Sequence, residues 1–233
     1  MQKDVSHIRS FVIRQTRMSE YQRRSFDTLY QDYALSFGSE RSTRDEILAS
    51  FPGCDTLVAE IGFGMGEATV ELAEKSPTTA FLGLEVHKPG IGKLLGELRS
   101  RGISNVRVVR EDAMVVFERM IAPAVFDGVH VFFPDPWPKK RHHKRRLVRP
   151  GFTAMVGRAV RPGAYLYVTT DVRDYAEHML EVIGPDDEFF ENPSDGFCEP
   201  LAWRPRTAFE RKGLARSHNI FEIFLRRRQE ATD

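Results

Sequence analysis

The amino-acid sequence predicts an α/β fold: a mostly parallel sheet that ends in an antiparallel pair, with helices on both faces. Five short apolar runs of strand length alternate with segments of helical periodicity, which is typical of a parallel sheet covered on both sides. Two further strand candidates near the C-terminus have no helix of normal length between them. They therefore favour an antiparallel pair at one edge of the sheet.

The predicted elements alternate regularly from residue 56 onward. The strands of the parallel part are residues 57–61, 80–84, 106–109, 129–133 and 164–168. The helices are residues 67–74, 91–101, 113–120, 152–160 and 175–183. The antiparallel pair is assigned to residues 188–191 and 219–225. We interpret residues 51–233 as one domain, and the polar and basic residues 1–50 as an arm with short helices outside the main fold.

Composition argues against several classes of protein. No apolar run approaches the roughly 20 residues of a membrane helix, and the N-terminus has no apolar signal region. Cys54 and Cys198 are the only cysteines. They are too few for a disulfide framework and unsuitably spaced for structural zinc, so a cytoplasmic protein is expected. Nothing indicates an obligate protein partner, and we expect a monomer or a homodimer.

Charge is unevenly distributed along a chain whose formal net charge is only +1. Residues 139–149 contain seven Lys or Arg, two His and no acid, whereas residues 171–199 are strongly acidic. This segregation is typical of a basic face for a polyanion beside an acidic pocket, or of two unrelated solvated faces.

A glycine-rich turn follows the first predicted strand, in residues 60–66 with the sequence EIGFGMG. Ligands of such sheets bind at the carboxyl ends of the strands, and glycines let a ligand approach the backbone closely. Dinucleotide-binding enzymes place a third glycine where this chain has Glu67, an acid that would oppose a pyrophosphate. S-adenosylmethionine has no phosphate and carries a sulfonium and an ammonium, which suit an acid at Glu60. The turn thus predicts that Glu60, Gly62, Gly64 and Gly66 bind S-adenosylmethionine.

Acids also follow the next two predicted strands. Glu85 closes the second strand, where a carboxylate can accept hydrogen bonds from both ribose hydroxyls. Asp112 follows the third strand, where it can accept from the adenine amine, with Ala113 beside the ring. Each acid alone could simply stabilise a helix N-terminus. Their succession at three strand ends favours a cofactor site.

The fourth predicted strand leads into residues 132–138, FFPDPWP, and then into the basic run KKRHHKRRL. Alternating prolines stiffen the turn and remove backbone donors, so Asp135 and the carbonyls are presented as acceptors. Trp137 offers a flat face for a base, and the basic run can hold phosphates beside it. Asp171 follows the fifth strand in the sequence TTD. The later T-x-x-E spacing of Thr207 and Glu210 is by itself that of a helix capping box.

The run FPDPWPKKRHHKRRL resembles the signature of bacterial tRNA (guanine-N7)-methyltransferases, which modify a guanine in the variable loop of tRNA. The resemblance extends to IRSFVIRQTRM, EIGFGMG, Glu85, Asp112, TTD and TAFERKG, in the same order along most of the chain. It implies the class I S-adenosylmethionine-dependent methyltransferase fold. It also implies S-adenosylmethionine as cofactor, S-adenosylhomocysteine as its product, and tRNA as substrate.

The resemblance further implies roles for single residues. Glu60, Glu85, Asp112 and Asp135 would line the cofactor and reaction site. The substrate-binding residues would be Lys139, Asp171, Thr207, Ala208, Phe209 and Glu210, so the resemblance overrules the capping box. The RNA contacts would be Arg141, His142, His143, Lys144, Arg145 and Arg146.

Asp135 is the expected catalytic residue. The N7 atom of guanine carries a lone pair and no proton, so alignment and electrostatics can carry catalysis without a general base. No cluster of His, Cys and acids has the spacing of metal ligands, and we expect no metal. Two alternatives stay open on the residues alone: an NAD-dependent oxidoreductase on a Rossmann sheet, and a non-catalytic RNA-binding protein that has kept the fold.

Overall fold

The computed structural model describes residues 10–11, 17–206, 210 and 219–229, and seven strands within these residues form one sheet in the order β3-β2-β1-β4-β5-β7-β6. The strands are β1 Thr56–Ile61, β2 Thr79–Leu84, β3 Val106–Val109, β4 Phe126–Phe132, β5 Val160–Thr170, β6 Phe190–Glu191 and β7 Phe221–Arg227. Strands β1 to β5 pair in parallel, whereas β7 runs antiparallel to both β5 and β6. The predicted sheet, with its antiparallel pair at one edge, is confirmed.

Helices cover both faces of this sheet. They are α1 Glu20–Tyr33, α2 Arg44–Leu48, α3 Glu67–Lys75, α4 Lys88–Arg101, α5 Ala113–Val115, α6 Phe152–Ala159 and α7 Arg173–Ile183. Helix α5 continues as a π-helical turn over Val116–Met120, and Lys140–Arg145 form a 3-10 helix. One apolar core lies under α1, α3 and α4, and a second lies under α2, α6 and α7.

Strands β4 and β5 extend beyond the apolar runs that predicted them. Their first residues include Asp127 and Arg161, whose side chains form an ion pair of 2.5 Å, and Arg44 also pairs with Asp127 at 2.9 Å. These charged side chains form ion pairs with one another at the amino ends of the strands. Hydropathy alone therefore does not identify that part of each strand. At the other end β4 stops before Phe133, whose φ of 52° leaves the extended region.

Helix α1 packs directly on α4, although we expected the N-terminal helices to lie outside the main fold. A capping box between Ser19 and Gln22 starts α1. The two helices approach closely at glycines of α4: a Cβ atom on Gly92 would lie 2.1 Å from the carbonyl oxygen of Gln22. The buried ring of Tyr33 completes the contact with the sheet.

Among the described residues, none of the helices is both long enough and apolar enough to cross a membrane.

Candidate active site

Two cavities meet at the carboxyl ends of β1, β2 and β4. The first, of about 270 Å³, is bounded by the residues that follow β1, β2 and β3. The second, of about 610 Å³, is bounded by the glycine turn and the residues that follow β4 and β5. Both cavities share the walls formed by Gly62, Gly64, Phe133, Pro134 and Asp135. The sheet therefore presents one continuous cleft with Asp135 at the junction of its two parts.

The register of the parallel strands brings the predicted cofactor residues together. Ile61 pairs with Leu84, and Leu84 pairs with Val109, so β1, β2 and β3 end at the same level. The residues that follow them consequently lie side by side at one edge of the sheet. This places Gly62, Gly64, Glu85 and Asp112 around the smaller cavity, whereas Glu60 and Gly66 line the larger one.

The glycine turn has a backbone shape that other residues rarely adopt. The φ angles of Gly62, Gly64 and Gly66 are 72°, 58° and 79°, all in the left-handed region that favours glycine. A Cβ atom on Gly66 would also lie 2.7 Å from the side chain of Leu94 in α4. The turn thus presents the backbone of these glycines to the cleft.

Glu85 connects the glycine turn to the start of the next loop. One carboxylate oxygen accepts from the backbone N–H of Gly64 at 3.0 Å, and the other accepts from Val86 at 2.8 Å and His87 at 3.0 Å. A carboxylate has about four acceptor positions. One acceptor position of Glu85 therefore remains for a ligand hydroxyl. The other three hold the backbone that shapes the cleft.

Asp112 and Ala113 form the far wall of the smaller cavity. Asp112 is buried, and it caps α5 by accepting from the backbone N–H of Met114 at 2.9 Å. The small side chain of Ala113 lies beside it, with Ile61, Leu84 and Leu147 completing an apolar wall. This wall suits a flat apolar ring such as adenine, next to an acceptor for its amine.

Glu60 is a buried carboxylic acid on the wall of the larger cavity. Its side chain is 2% exposed and accepts a hydrogen bond of 2.8 Å from the hydroxyl of Thr69. Burial raises the pKa of Glu60 to about 7, and the Thr69 hydrogen bond opposes this only in part. A cation bound beside Glu60 would stabilise its ionised form.

The loop after β4 carries two residues in an unusual backbone conformation. The φ angles of Phe133 and Trp137 are 52° and 46°, and positive φ is an outlier for bulky side chains. Such conformations persist only where the surroundings hold them, and they concentrate at functional sites. Pro134, Asp135 and Pro136 lie between these two residues and face the cavity.

Trp137 is packed inside the protein more than the sequence suggested. Its indole N–H donates to the carbonyl of Ser10 at 3.0 Å, and the Arg145 guanidinium lies 4.1 Å from its ring centroid. Arg145 itself donates to the carbonyl of Phe11 at 2.9 Å. One face of the indole is therefore covered, and Trp137 anchors residues 10–11 beside the smaller cavity.

The basic run divides into exposed and internal residues. Lys139, Lys140, Arg141 and Lys144 are exposed, and His142 contacts the edge of Trp137. Partial desolvation and the neighbouring cations lower the pKa of His142.

Arg146 is the most buried of the predicted RNA contacts. It is 1% exposed, and its guanidinium binds the Pro136 carbonyl, Asp174 and His143 within the protein. We therefore leave Arg146 out of the RNA surface, because a buried guanidinium with internal partners does not face a phosphate.

The remaining predicted substrate residues lie on two different parts of the fold. Asp171 follows β5 and lines the larger cavity, as does Asp135. Glu210 is buried and binds the guanidinium of Arg204 through both oxygens, at 2.7 Å and 2.8 Å. Thr207, Ala208 and Phe209 lie outside the described residues, and so does the predicted capping box.

Several cleft residues were not identified from the sequence. Phe63 fills the space beside Gly83, where a Cβ atom would lie 2.7 Å from its ring. Gly90 lets α4 approach the turn, since its Cβ would lie 2.0 Å from the Gly64 carbonyl oxygen. Thr69 holds Glu60 from the first turns of α3. The glycines at positions 83 and 90 were the available signals, because glycine inside an element indicates close packing.

The charge of the cleft is one-sided. Among the described residues that line the two cavities there is no Lys or Arg. The acids that line them are Glu60, Glu67, Glu85, Glu111, Asp112, Asp135 and Asp171. Within the same part of the chain, no group of three or more His, Cys, Asp or Glu side chains is arranged to hold a metal ion. The cleft therefore suits a cationic ligand and disfavours a pyrophosphate.

Solved structures resemble this fold. The 16S rRNA methyltransferase KamB superposes with a TM-score of 0.56 and 16% identity, covering 81% of this chain and 95% of that protein. The antibiotic-resistance methyltransferase Kmr gives a TM-score of 0.55 at 14% identity, over 85% of this chain and 99% of that protein. At such identity the likeness concerns the fold alone, which is that of class I S-adenosylmethionine-dependent methyltransferases.

Sequence comparison gives the family. Residues 55–223 match the family model described as "Putative methyltransferase". The tRNA (guanine-N(7)-)-methyltransferase of Paraburkholderia xenovorans (strain LB400) is 45% identical over 221 residues, covering 95% of this chain and 84% of the relative. The protein of the same name from Burkholderia cenocepacia (strain HI2424) is 44% identical over 223 residues, covering 96% and 86%. With this similarity over nearly its whole length, the chain belongs to the tRNA (guanine-N(7)-)-methyltransferase family.

Proposed function

We propose that this protein transfers a methyl group from S-adenosylmethionine to N7 of a guanine in the variable loop of tRNA, forming 7-methylguanosine. The observation that carries the chemistry is the acidic cleft, whose described walls hold seven carboxylates and no Lys or Arg. Both the sulfonium cofactor and the methylated guanine carry positive charge. The family and its tRNA-named relatives support the choice of substrate.

The residues of the smaller cavity fit S-adenosylmethionine. Glu85 would accept from a ribose hydroxyl at its remaining acceptor position, and Asp112 would accept from the adenine amine while Ala113 and Leu147 would contact the ring. The exposed backbone of Gly62 and Gly64 would let a bound cofactor extend from the smaller cavity into the larger one. When bound, the cofactor supplies an electrophilic methyl group. The NAD alternative is disfavoured because no described cation lines the cleft for a pyrophosphate.

The larger cavity accommodates the guanine. Asp135 and Asp171 stand on its walls after β4 and β5, where carboxylates accept from guanine N1–H and the exocyclic amine. Adenine has no N1–H and would leave an acceptor unpaired, so this arrangement selects guanine. As the methyl group moves, positive charge develops on the imidazole ring of the base. Asp135, at the junction of the cavities, is the carboxylate that we assign to stabilising this charge.

The exposed basic residues bind the tRNA backbone. Lys139, Lys140, Arg141 and Lys144 follow Asp135 by four to nine positions and are all exposed. Phosphate contacts supply most of the affinity for RNA and place the guanine over the cleft. Thr207, Ala208 and Phe209 are also proposed to bind the substrate; they directly precede Glu210, whose carboxylate is held by Arg204. We further propose that residues 51–233 form the catalytic domain, with residues 1–50 beside it. We propose that the enzyme acts in the cytoplasm, together with its tRNA substrate.

A labelled methyl-transfer assay on tRNA transcribed without modifications tests this function. We expect label to be incorporated at one guanine of the variable loop, as mapped by nuclease digestion and mass spectrometry. A transcript with that guanine replaced by adenine is the matched control and should receive no label. Label on another base, or binding of tRNA without any transfer from S-adenosylmethionine, would contradict the proposal.

A further inference from the structure

Arg146 occupies the most buried position in the basic run. It is 1% exposed, whereas the neighbouring Lys144 is exposed. Burying a guanidinium costs desolvation energy, and an apolar side chain of similar volume is often as stable in its place. The contacts that Arg146 makes, rather than overall stability, therefore indicate why a charged residue stands there.

These contacts join the two walls of the reaction pocket. The Nε atom of Arg146 donates to the carbonyl of Pro136 at 3.0 Å, directly after Asp135. Its Nη2 atom donates to Asp174 in the first turn of α7, three residues after Asp171. The guanidinium also lies 4.8 Å from the ring centroid of Tyr175 in the same helix.

The loop that carries Asp135 has few backbone donors with which to fix its shape. Proline at positions 134, 136 and 138 removes three backbone N–H donors. Phe133 and Trp137 are held at φ of 52° and 46°, a strain that the surroundings must balance. A bond to the Pro136 carbonyl supplies such a restraint, and it acts on the residue next to Asp135.

A second contact ties the chain next to Arg146 to α7. The hydroxyl of Tyr175 accepts from the backbone N–H of Val148 at 3.1 Å, and the Tyr175 ring is fully buried. The chain on the C-terminal side of Arg146 is thereby tied to the helix that its guanidinium contacts.

We propose that Arg146 is a positioning residue for methyl transfer, which sets the place of Asp135 relative to Asp171 through the Pro136 carbonyl and Asp174. This rests on the proposed role of Asp135 in the reaction. It assigns Arg146 to the chemical step and not to the binding of RNA phosphates.

The test compares Arg146→Met and Arg146→Lys with Arg44→Met. Arg44 is a matched control at the opposite edge of the sheet. Its guanidinium also donates hydrogen bonds to two backbone carbonyls, those of Val125 and Asp55, and forms an ion pair with Asp127. At saturating tRNA and cofactor, we expect Arg146→Met to slow single-turnover methylation by ~10- to 100-fold, the scale of a small misplacement of catalytic groups. Arg146→Lys should not restore the rate, since one ammonium cannot replace the planar fork. Arg44→Met should keep a near-normal rate.

A double-variant cycle identifies the route of the effect. If Arg146 acts through Asp135, the rate losses of Arg146→Met and Asp135→Asn should not multiply in the double variant. The dissociation constant of tRNA and its salt dependence should stay near those of the unmodified protein. Should Arg146→Met fail to fold, Asp174→Asn, which changes an exposed carboxylate, should still slow the reaction.

Two results would overturn the proposal. A normal chemical step with weaker tRNA binding and a flatter salt dependence would return Arg146 to the RNA contacts. Rate losses that multiply fully would mean that Arg146 acts independently of Asp135. A normal rate in Asp135→Asn alone would instead refute the role proposed for Asp135. The two failures can be told apart, because the rate of Arg146→Met is measured in a separate variant.

Discussion

Arg204 binds Glu210 through both terminal nitrogens of its guanidinium, and the same group binds Glu222 of β7 with an Nη2–Oε1 distance of 2.6 Å. All three side chains are at most 3% exposed. The hydroxyl of Tyr167 donates to Glu222 from β5. Burial lowers the pKa of Arg204, but the hydrogen bonds that its guanidinium donates to the two carboxylates outweigh this effect, and the pKa is raised overall. One cation thus pairs with two buried acids and fixes Glu210 to the sheet.

We expect Arg204→Met to destabilise the protein by ~3–5 kcal/mol, because it leaves two buried carboxylates without their cation. A buried carboxylate that has lost its counterion is more stable when protonated, so the variant should lose more stability at pH 8 than at pH 5. Urea unfolding at pH 5 and pH 8 measures both effects. Adding Glu210→Gln to the variant should recover part of the loss at pH 8. A loss that is equal at both pH values would contradict this account.

Cofactor affinity should depend on the ionisation of Glu60. Its pKa is raised to about 7 by burial, so at pH 6 a cationic cofactor must displace a proton from it. Affinity should therefore rise between pH 6 and pH 8, by up to ~10-fold for one unit of pKa. In the free protein the sign is opposite: this acid costs stability as pH rises from about 4.5 to 7.

Calorimetry with S-adenosylmethionine at pH 6, 7 and 8 measures this affinity. Glu60→Gln is the control, since it keeps the titration of the cofactor ammonium and removes that of Glu60. A pH dependence that is identical in the two proteins would exclude Glu60 from the binding equilibrium.

Removing the exposed cations of the basic run should weaken tRNA binding. We choose Lys140, Arg141 and Lys144, because Arg145 and Arg146 are engaged inside the protein. Their replacement by Gln should flatten the plot of log K against log salt by ~0.7–0.9 for each phosphate that is no longer neutralised. Cofactor affinity should be unaffected. The same charge change at Arg99, Arg119 and Arg158, on other exposed elements, should leave the slope as it was. If both triple variants behave alike, the basic run does not contact RNA.

Asp135→Asn should slow the chemical step much more than it weakens tRNA binding. The change keeps the size of the side chain and removes the charge that faces the developing cation. We expect single-turnover methylation to fall by ~10²–10³, as when one preorganised stabilising group is removed. Rapid-quench kinetics on saturated complexes gives the rate. Asp171→Asn, measured in parallel, should have the smaller effect on rate; the reverse order would move the assignment to Asp171.

The sequence alone determined the sheet, the glycine turn and the three acids at neighbouring strand ends. Apolar periodicity reports which face of each element is buried, and parallel strands of matched register bring their carboxyl ends together without further information. Glu60, Glu85 and Asp112 could therefore be predicted to share one cofactor site, because Glu60 is the last but one residue of β1 and the other two acids follow their strands within a few residues. Residues 207–209 remain a prediction.

Only the tertiary structure separated Arg141 from Arg146, and only it paired Glu210 with Arg204. The basic run forms a short 3-10 helix with no apolar periodicity, so nothing local indicates which cation turns inward. Arg146 does so because α7 supplies Asp174 and Tyr175 from about 30 positions later. A buried charge needs partners that stabilise it, and those of Arg146 come from a distant element. Packing, rather than the neighbouring residues, determines whether such partners lie close enough.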